Sequence, residues 1–457
     1  MKINRMIFRE YDIRGIYGQD IDGELFYHIG KAVGTIYRKK NLSKIVLGMD
    51  NRASSPELTQ KLSEGLQSTG CDVTFVGTLP YPLIHFYTTT KDFDGGVYIT
   101  ASHNTKEYNG VKIEYAKAAP IYGEGVQEIA NIIESENYET GTGSYEEKDF
   151  TDEYIKFVKD SFSFSKKFKI VLNTGNGSTG DLARKVFTEL GLEIVPVNLE
   201  LDGTFPNGTP DPEEPHFVEQ TTSAVLASGA DAGFGLDGDG DRFLMVDEKG
   251  KSYETDRALL LFSKYILKDF PGSKIAYDVK CTSLAEDIIK NYGGDPEIVR
   301  TGRSFFIQKI TSKEATFGVE FSGHTYFGDR YFGYDDGIYA ICRVLEIMDK
   351  EKSGIGGLMQ EFPERTSSPE IKVPCPDTEK FTVVFKIIEE VKNSEKFSRK
   401  NFVDGVRASI SDTAWFLIRA KNTSPFLGIR VEAASEEELE KVKNEVRLLL
   451  KPHSLEF

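Results

Sequence analysis

The sequence predicts an α/β fold of four domains: three α/β units with mixed sheets between helices, then a C-terminal α+β unit. Three observations predict it. Apolar, β-branched runs alternate with helix-length amphipathic segments along most of the 457 residues, the pattern of helices layered on sheets. The strand–helix–strand cycle restarts about every hundred residues, roughly the size of one domain core. Near the end the order changes to consecutive strands followed by a closing helix, as in α+β domains.

Taken in order, Lys44–Met49 reads as a buried strand, Pro56–Gly70 as a helix and Cys71–Val76 as the next strand, with the apolar run Gly96–Ile99 beyond it. The cycle restarts with a strand at Lys169–Leu172, a helix at Asp181–Leu190 and a strand at Glu193–Val197. A third runs from the helix Asp256–Lys268 through the strand Lys274–Val279 to the helix Ser283–Tyr292. The last unit has strands at Val406–Ile410, Ala414–Ala420 and Phe426–Ala433. Ser435 and Glu438 form a capping box for its closing helix, whose apolar stripe is Leu439, Val442, Val446 and Leu449. The acidic stretch Ser135–Lys148 and the proline-bearing stretch Glu364–Asp377 read as connections. The expected units are therefore 1–145, 146–252, 253–366 and 367–457.

Composition narrows the function. With 39% hydrophobic residues, 31 Phe and 21 Tyr, the chain has material for several cores. A net charge of −16 without a basic stripe argues against nucleic acid as a partner. No apolar run reaches the roughly 18 residues of a membrane span, and no secretory leader is visible. Cys71, Cys281, Cys342 and Cys375 have neither disulfide nor zinc spacing, so free thiols in a cytoplasmic protein are expected. An acidic chain that binds a phosphorylated ligand must gather Arg and Lys locally to overcome its own field.

Four segments carry chemistry. Thr100-Ala101-Ser102-His103-Asn104 closes an apolar run and leads into Tyr108-Asn109-Gly110-Val111-Lys112. A strand-end hydroxyl with donors and a Lys nearby suits phosphoryl transfer, although a Ser-His-Asn turn could use the same groups for backbone hydrogen bonds. Asp237-Gly238-Asp239-Gly240-Asp241-Arg242 sets three carboxylates at alternate positions, a spacing that can converge on one hard cation such as Mg²⁺. An EF-hand is disfavoured, because Arg242 occupies the obligatory glycine position and strands flank the loop. In Glu320-Phe321-Ser322-Gly323-His324, a carboxylate, a hydroxyl and an imidazole alternate, matching the mixed donor and acceptor needs of a polyol. Arg419-Ala420-Lys421-Asn422-Thr423-Ser424-Pro425, with Arg430, is a phosphate-binding pattern or else a solvated cationic face. Arg14, in Tyr11-Asp12-Ile13-Arg14-Gly15, and Lys280 are ambiguous by themselves. A fifth segment, Gly175-Asn176-Gly177-Ser178-Thr179-Gly180, matches a dinucleotide fingerprint with Glu200 near the ribose position, so an NAD-dependent dehydrogenase is a rival.

Read together and in this order, these segments resemble the α-D-phosphohexomutase family, the phosphomannomutases and phosphoglucomutases. The resemblance covers Phe8 to Ala433, with the family's T-A-S-H-N, D-G-D-G-D-R and G-E-x-S-G-H-like segments in sequence, and its R-x-S-N-T-x-P loop matched at Arg419, Asn422, Thr423 and Pro425. The family carries a similar G-N-G turn without binding NAD. Four positions depart from its pattern: Thr105 stands for a Pro, Lys421 for a small residue, Arg303 where some members place a substrate-facing His, and Val319 where a second Gly is common.

The resemblance implies four domains around a central cleft and a phosphoserine at Ser102. It implies Mg²⁺ held by Asp237, Asp239, Asp241 and a phosphoryl oxygen on Ser102. Lys112, Arg14, His103 and Arg242 would surround the transfer. Tyr11, Lys280, Arg303, Glu320, Ser322, His324, Arg419, Asn422, Thr423, Ser424 and Arg430 would bind the sugar phosphate. The implied reaction interconverts hexose 1- and 6-phosphates of mannose or glucose through a hexose 1,6-bisphosphate. Phe321 and Asn422-Thr423-Ser424-Pro425 look more like the mannose/glucose group than like phosphoglucosamine mutases. A non-catalytic sugar-phosphate binding protein is the other alternative. Nothing in the sequence distinguishes a monomer from a homodimer.

Overall fold

A computed structural model describes residues 1–421 and 425–457. Four sheets succeed one another along the chain. The first has strands in the order Ile13–Ile16, Tyr108–Tyr115, Gly95–Ile99, Lys44–Met49, Asp72–Thr78 and Tyr145–Glu147, with Ala119–Pro120 beside Tyr108–Tyr115. Its centre is parallel, while Tyr108–Tyr115 pairs antiparallel with both neighbours. The second sheet runs Ser252–Tyr253, Phe243–Val246, Ala232–Leu236, Lys169–Asn173, Glu193–Val197, and the third Asp295–Val299, Lys274–Asp278, Phe317–Val319, Thr325–Phe327. Both are parallel at the core and end in an antiparallel hairpin. The fourth is wholly antiparallel and packs the helices Lys380–Asn393 and Glu436–Leu450.

Local sequence explains the elements. Lys44–Met49 is buried at four central positions, as a nearly continuous apolar run requires between helix layers. The closing helix buries Leu439, Val442, Val446 and Leu449. Ser435 Oγ accepts the Glu438 N–H, while the Glu438 carboxylate reaches back to the Ala434 N–H at 3.0 Å, one residue earlier than in the usual capping box.

One expected boundary moves, and one expected connection is partly sheet. Tyr145–Glu147 pairs in parallel with Val73–Phe75, so the first sheet continues past residue 145. Likewise Thr366–Ser367 and Ile371–Pro374, inside the expected linker, pair with Phe426–Ala433. The exposed flank of that strand attracts the chain, and Pro374 is tolerated because an edge position does not demand its missing donor. Six residues of the stretch read as a connection, Thr366–Ser367 and Ile371–Pro374, are therefore sheet.

One apolar cluster runs through the first three domains, from Tyr81 and Tyr87 through Ile170 and Phe234 to Phe262 and Phe317. The fourth domain has its own core and meets the third through Val279, Trp415 and Leu417. Polar contacts reinforce that seam. Arg407 donates to the carbonyls of Val279 and Cys281 at 2.6 Å each, and Glu432 accepts from Thr282, Ser283 and Trp415. The four cysteines are buried and unpaired. Among the described residues no helix is long and apolar enough to cross a membrane.

Candidate active site

A cleft of about 530 Å³ opens where the domains meet. Tyr11, Arg14, Ser102, His103 and Lys112 line it from the first domain, and Asp241 and Arg242 from the second. Lys280, Arg303, Glu320, Ser322 and His324 face it from the third, and Arg419 and Lys421 from the fourth. Its walls carry eight Arg and Lys against five carboxylates. A chain of net charge −16 thus makes the local positive field that an anionic ligand needs.

Ser102 follows the strand Gly95–Ile99 in a left-handed conformation, φ 49°, and is almost wholly buried. Such backbone strain at a serine costs roughly 1–3 kcal/mol and persists only where the surroundings enforce it. The Ser102 N–H is held by Thr100 Oγ1 at 2.7 Å. Its hydroxyl donates to Asp237 Oδ2 at 2.8 Å and lies 3.2 Å from His103 Nδ1. Burial, with Arg242 and Arg14 close by, holds His103 well below the usual imidazole range, which favours the neutral ring.

Asp237, Asp239 and Asp241 sit in the turn of the hairpin that pairs Leu236 with Phe243. Each offers an oxygen within 4.8 Å of the others, and all three are buried. Lys112 Nζ reaches Asp239 Oδ2 at 2.8 Å and Asp241 Oδ2 at 2.7 Å, yet Oδ1 of each carboxylate accepts no hydrogen bond, with His324 Nδ1 3.5 Å from that of Asp241. Burial, Asp241 and Asp239 push the Asp237 carboxyl well above its ordinary range. Lys112 is raised, because Asp239 and Asp241 outweigh the burial that favours the neutral amine. Orphaned buried oxygens beside a crowded carboxylate fit a hard divalent cation. A second trio, Asp241, His324 and Asp335, does not. Asp335 already takes Arg303 through both oxygens, at 3.0 and 3.1 Å, and lies 2.8 Å from His324 Nδ1. Glu248, the EF-hand's twelfth position, points elsewhere, to the Gly356 N–H.

The third domain holds its polar groups firmly. Glu320 accepts the Gly302 N–H and the Tyr326 hydroxyl, each at 2.7 Å, and Arg242 Nε lies 3.2 Å from His324 Nε2. Arg303 stands at the cleft wall, but its guanidinium is engaged by Asp335, Tyr81 and His85. Tyr11 donates to the Thr301 carbonyl at 2.8 Å. Val319 is accommodated inside a strand, paired with Tyr277 and Thr325. From the fourth domain, Arg419 is held by Thr301 Oγ1 at 3.1 Å and Asp404 at 3.0 Å.

Two expectations change. Arg430 does not reach this cleft: it pairs with Asp256 at 3.3 Å and stacks on Phe321, facing an adjoining cavity. The antiparallel register explains this, since Arg430 lies opposite Leu417, two residues from Arg419. In the dinucleotide-like turn the N–H groups of Asn176, Gly177 and Ser178 are taken by the carbonyls of Asn198, Thr174 and Gly238. A Cβ on Gly177 would sit 2.5 Å from that Gly238 oxygen, so the glycine serves close packing of two loops. Asn422, Thr423 and Ser424 lie outside the described residues. Sequence patterns missed Arg9, Glu10, Glu213 and Thr301, which also line the cleft. None carries a local signal, because long-range packing brings each there.

Four domains that each bring charged side chains to one cationic cleft, with a buried serine against a carboxylate trio, define a phosphohexomutase, an isomerase of sugar phosphates. Models of the phosphoglucomutase/phosphomannomutase alpha/beta/alpha domains I, II and III match residues 5–140, 152–250 and 254–366, and that of the C-terminal domain matches 370–449. This chain belongs to the phosphoglucomutase/phosphomannomutase family. It is 37% identical over 447 residues to a phosphomannomutase/phosphoglucomutase of Pseudomonas aeruginosa, covering 97% of this chain and 95% of that one. A Neisseria gonorrhoeae phosphoglucomutase is 33% identical over 458 residues, 99% and 98% of the two chains. A solved family structure from Burkholderia thailandensis superposes with a TM-score of 0.94 at 33% identity over 100% of both chains.

Proposed function

We propose that this enzyme interconverts the 1- and 6-phosphates of mannose and glucose by phosphoryl exchange at Ser102. The observation that carries the reading is the Ser102 hydroxyl, held 2.8 Å from Asp237 on the wall of a cationic cleft. In the resting enzyme Ser102 Oγ bears a phosphoryl group. A hexose 1-phosphate binds with its own phosphate at Arg419 and Lys421 and its O6 toward Ser102. The sugar O6 attacks the phosphorus, the Oγ–P bond breaks, and a hexose 1,6-bisphosphate forms. After the sugar reverses, Ser102 Oγ attacks the phosphoryl group on O1 and gives up its proton, the O1–P bond breaks, O1 takes a proton, and the 6-phosphate remains.

Lys112, Arg14 and Arg242 surround Ser102 and offset charge on the moving group, while the loops supply in-line positioning. Asp237, Asp239 and Asp241 are the residues that would hold Mg²⁺, which supplies Lewis-acid stabilisation of phosphoryl oxygens when bound. Ser322 and His324 face the sugar hydroxyls, with Glu320 fixing the loop that bears them. Arg303 shapes the wall through Asp335 rather than by a free contact. The four buried thiols suit a reducing, cytoplasmic setting. The test is intact-mass spectrometry with a coupled mutase assay. One phosphoryl adduct that is lost in Ser102→Ala together with turnover supports the reading, and a fully active Ser102→Ala refutes it.

A further inference from the structure

Arg52 follows the strand Lys44–Met49 in the polar run Asp50-Asn51-Arg52. Its side chain is completely buried. Nε donates to Asp50 Oδ2 at 3.0 Å. Nη1 donates to the carbonyls of Thr105 and Tyr108, at 2.6 and 3.1 Å, and Nη2 to those of Ser102 and Asn104, at 2.8 and 2.7 Å. All five guanidinium donors are therefore used, four of them on the one loop that carries Ser102. Asp50 is fixed in turn by the Arg52 N–H and the Ser55 hydroxyl. From the second domain, the Phe205 ring covers the guanidinium at 4.9 Å.

We propose that Arg52 is a positioning residue for phosphoryl transfer, acting through the Ser102 backbone; this rests on Ser102 carrying the phosphoryl group. The loop turns four carbonyls inward around a serine at φ 49°, an arrangement that only a planar, five-donor cation can satisfy from one point. The Ser102 carbonyl also abuts the carboxylate loop: a Cβ on Gly238 would lie 2.5 Å from it. Rotation of that peptide would carry Oγ away from Asp237 and press on the metal-binding turn. Arg52 thus fixes both the direction of the nucleophile and the spacing of two loops from different domains, without touching the ligand cleft.

The test uses full-length Arg52→Lys, with Asp50→Asn as a second variant that removes the carboxylate charge beside Nε and leaves the four carbonyl partners in place. kcat and KM for glucose 1-phosphate are measured with saturating glucose 1,6-bisphosphate. The rate of Ser102 phosphorylation by the bisphosphate is followed by intact mass, and thermal unfolding is recorded on the same samples. Arg52→Lys is expected to lower kcat at least tenfold with KM within twofold, and to slow Ser102 phosphorylation by the same factor. Asp50→Asn should fall between it and the wild type. A merely structural role would lower the unfolding temperature and leave kcat per folded molecule within twofold, and that result overturns the proposal. So does a KM that rises in proportion to the loss of kcat. If Arg52→Lys does not fold, Asp50→Asn decides, and unchanged kcat there overturns the proposal. An active Ser102→Ala would overturn the phosphoserine reading itself, a different result from any of these.

Discussion

Removing the Arg419 side chain separates a mutase from a simple phosphatase. A phosphatase needs only the nucleophile and its charge-stabilising neighbours, whereas a mutase must also hold the phosphate that is not being transferred. Arg419 sits at the end of Trp415–Ala420, 5% exposed, steered toward the cleft by Thr301 and Asp404. Arg419→Ala should raise KM for glucose 1-phosphate and release free 1,6-bisphosphate. Each charge-assisted hydrogen bond lost to the distal phosphate is worth roughly 1.5–3 kcal/mol, or about ten- to a hundredfold in kcat/KM. The pair with Asp404 is largely buried, so removing Arg419 leaves that carboxylate without its cation and should itself cost stability, by up to about 3–5 kcal/mol. The kinetic loss is therefore read per folded molecule, below the unfolding transition of the variant. The assay is steady-state kinetics with a bisphosphate determination on the same reaction. Unchanged KM with no bisphosphate released would refute the distal-phosphate role.

Three further outcomes are expected. Chelation should stop turnover, and Mg²⁺ should restore it while Ca²⁺ does not, because Ca²⁺ takes more ligands at longer distances than Asp237, Asp239 and Asp241 provide; full activity in excess chelator would contradict this. Gly177→Ala should raise the Mg²⁺ concentration needed for half-maximal activity, since its Cβ would press on the Gly238 carbonyl; an unchanged Mg²⁺ dependence would show that the turn yields. Asp349 is pulled down to about 2 by the Ser165 N–H, its hydroxyl and Lys352. Its contribution to stability is present above the ordinary carboxylate value of 3.8 and disappears as pH falls toward about 2. Asp349→Asn should flatten acid destabilisation across that window, and identical pH slopes of thermal unfolding would count against it.

Much of this was legible where local chemistry and structure coincide. Lys44–Met49, Glu193–Val197 and Phe426–Ala433 form strands at the residues their apolar patterns mark. The serine and carboxylate loops could be read because adjacent residues carry their chemistry. Long-range pairings had no such signal. Gly337–Glu351 buries eleven of its 15 residues, so it shows no polar face from which to infer a surface helix. Only the folded chain turns four distant carbonyls toward Arg52. Arg303 occupies a position open to a substrate contact, but Asp335 and His85, remote in sequence, engage it first. Arg430 lies on the strand beside that of Arg419, but the register sets it opposite Leu417, two residues along, where it stacks on Phe321.

The central claim is that Ser102 donates its phosphoryl group to one end of the sugar and regains one from the other. The direct measurement loads Ser102 with a radiolabelled phosphoryl group, mixes the enzyme with excess unlabelled mannose 1-phosphate, and quenches within a single turnover. The label should leave the protein, appear first in the hexose 1,6-bisphosphate and then in the 6-phosphate product, while unlabelled phosphate replaces it on Ser102. A product that carries only the substrate's own phosphorus, with the label still on the protein, would contradict the account.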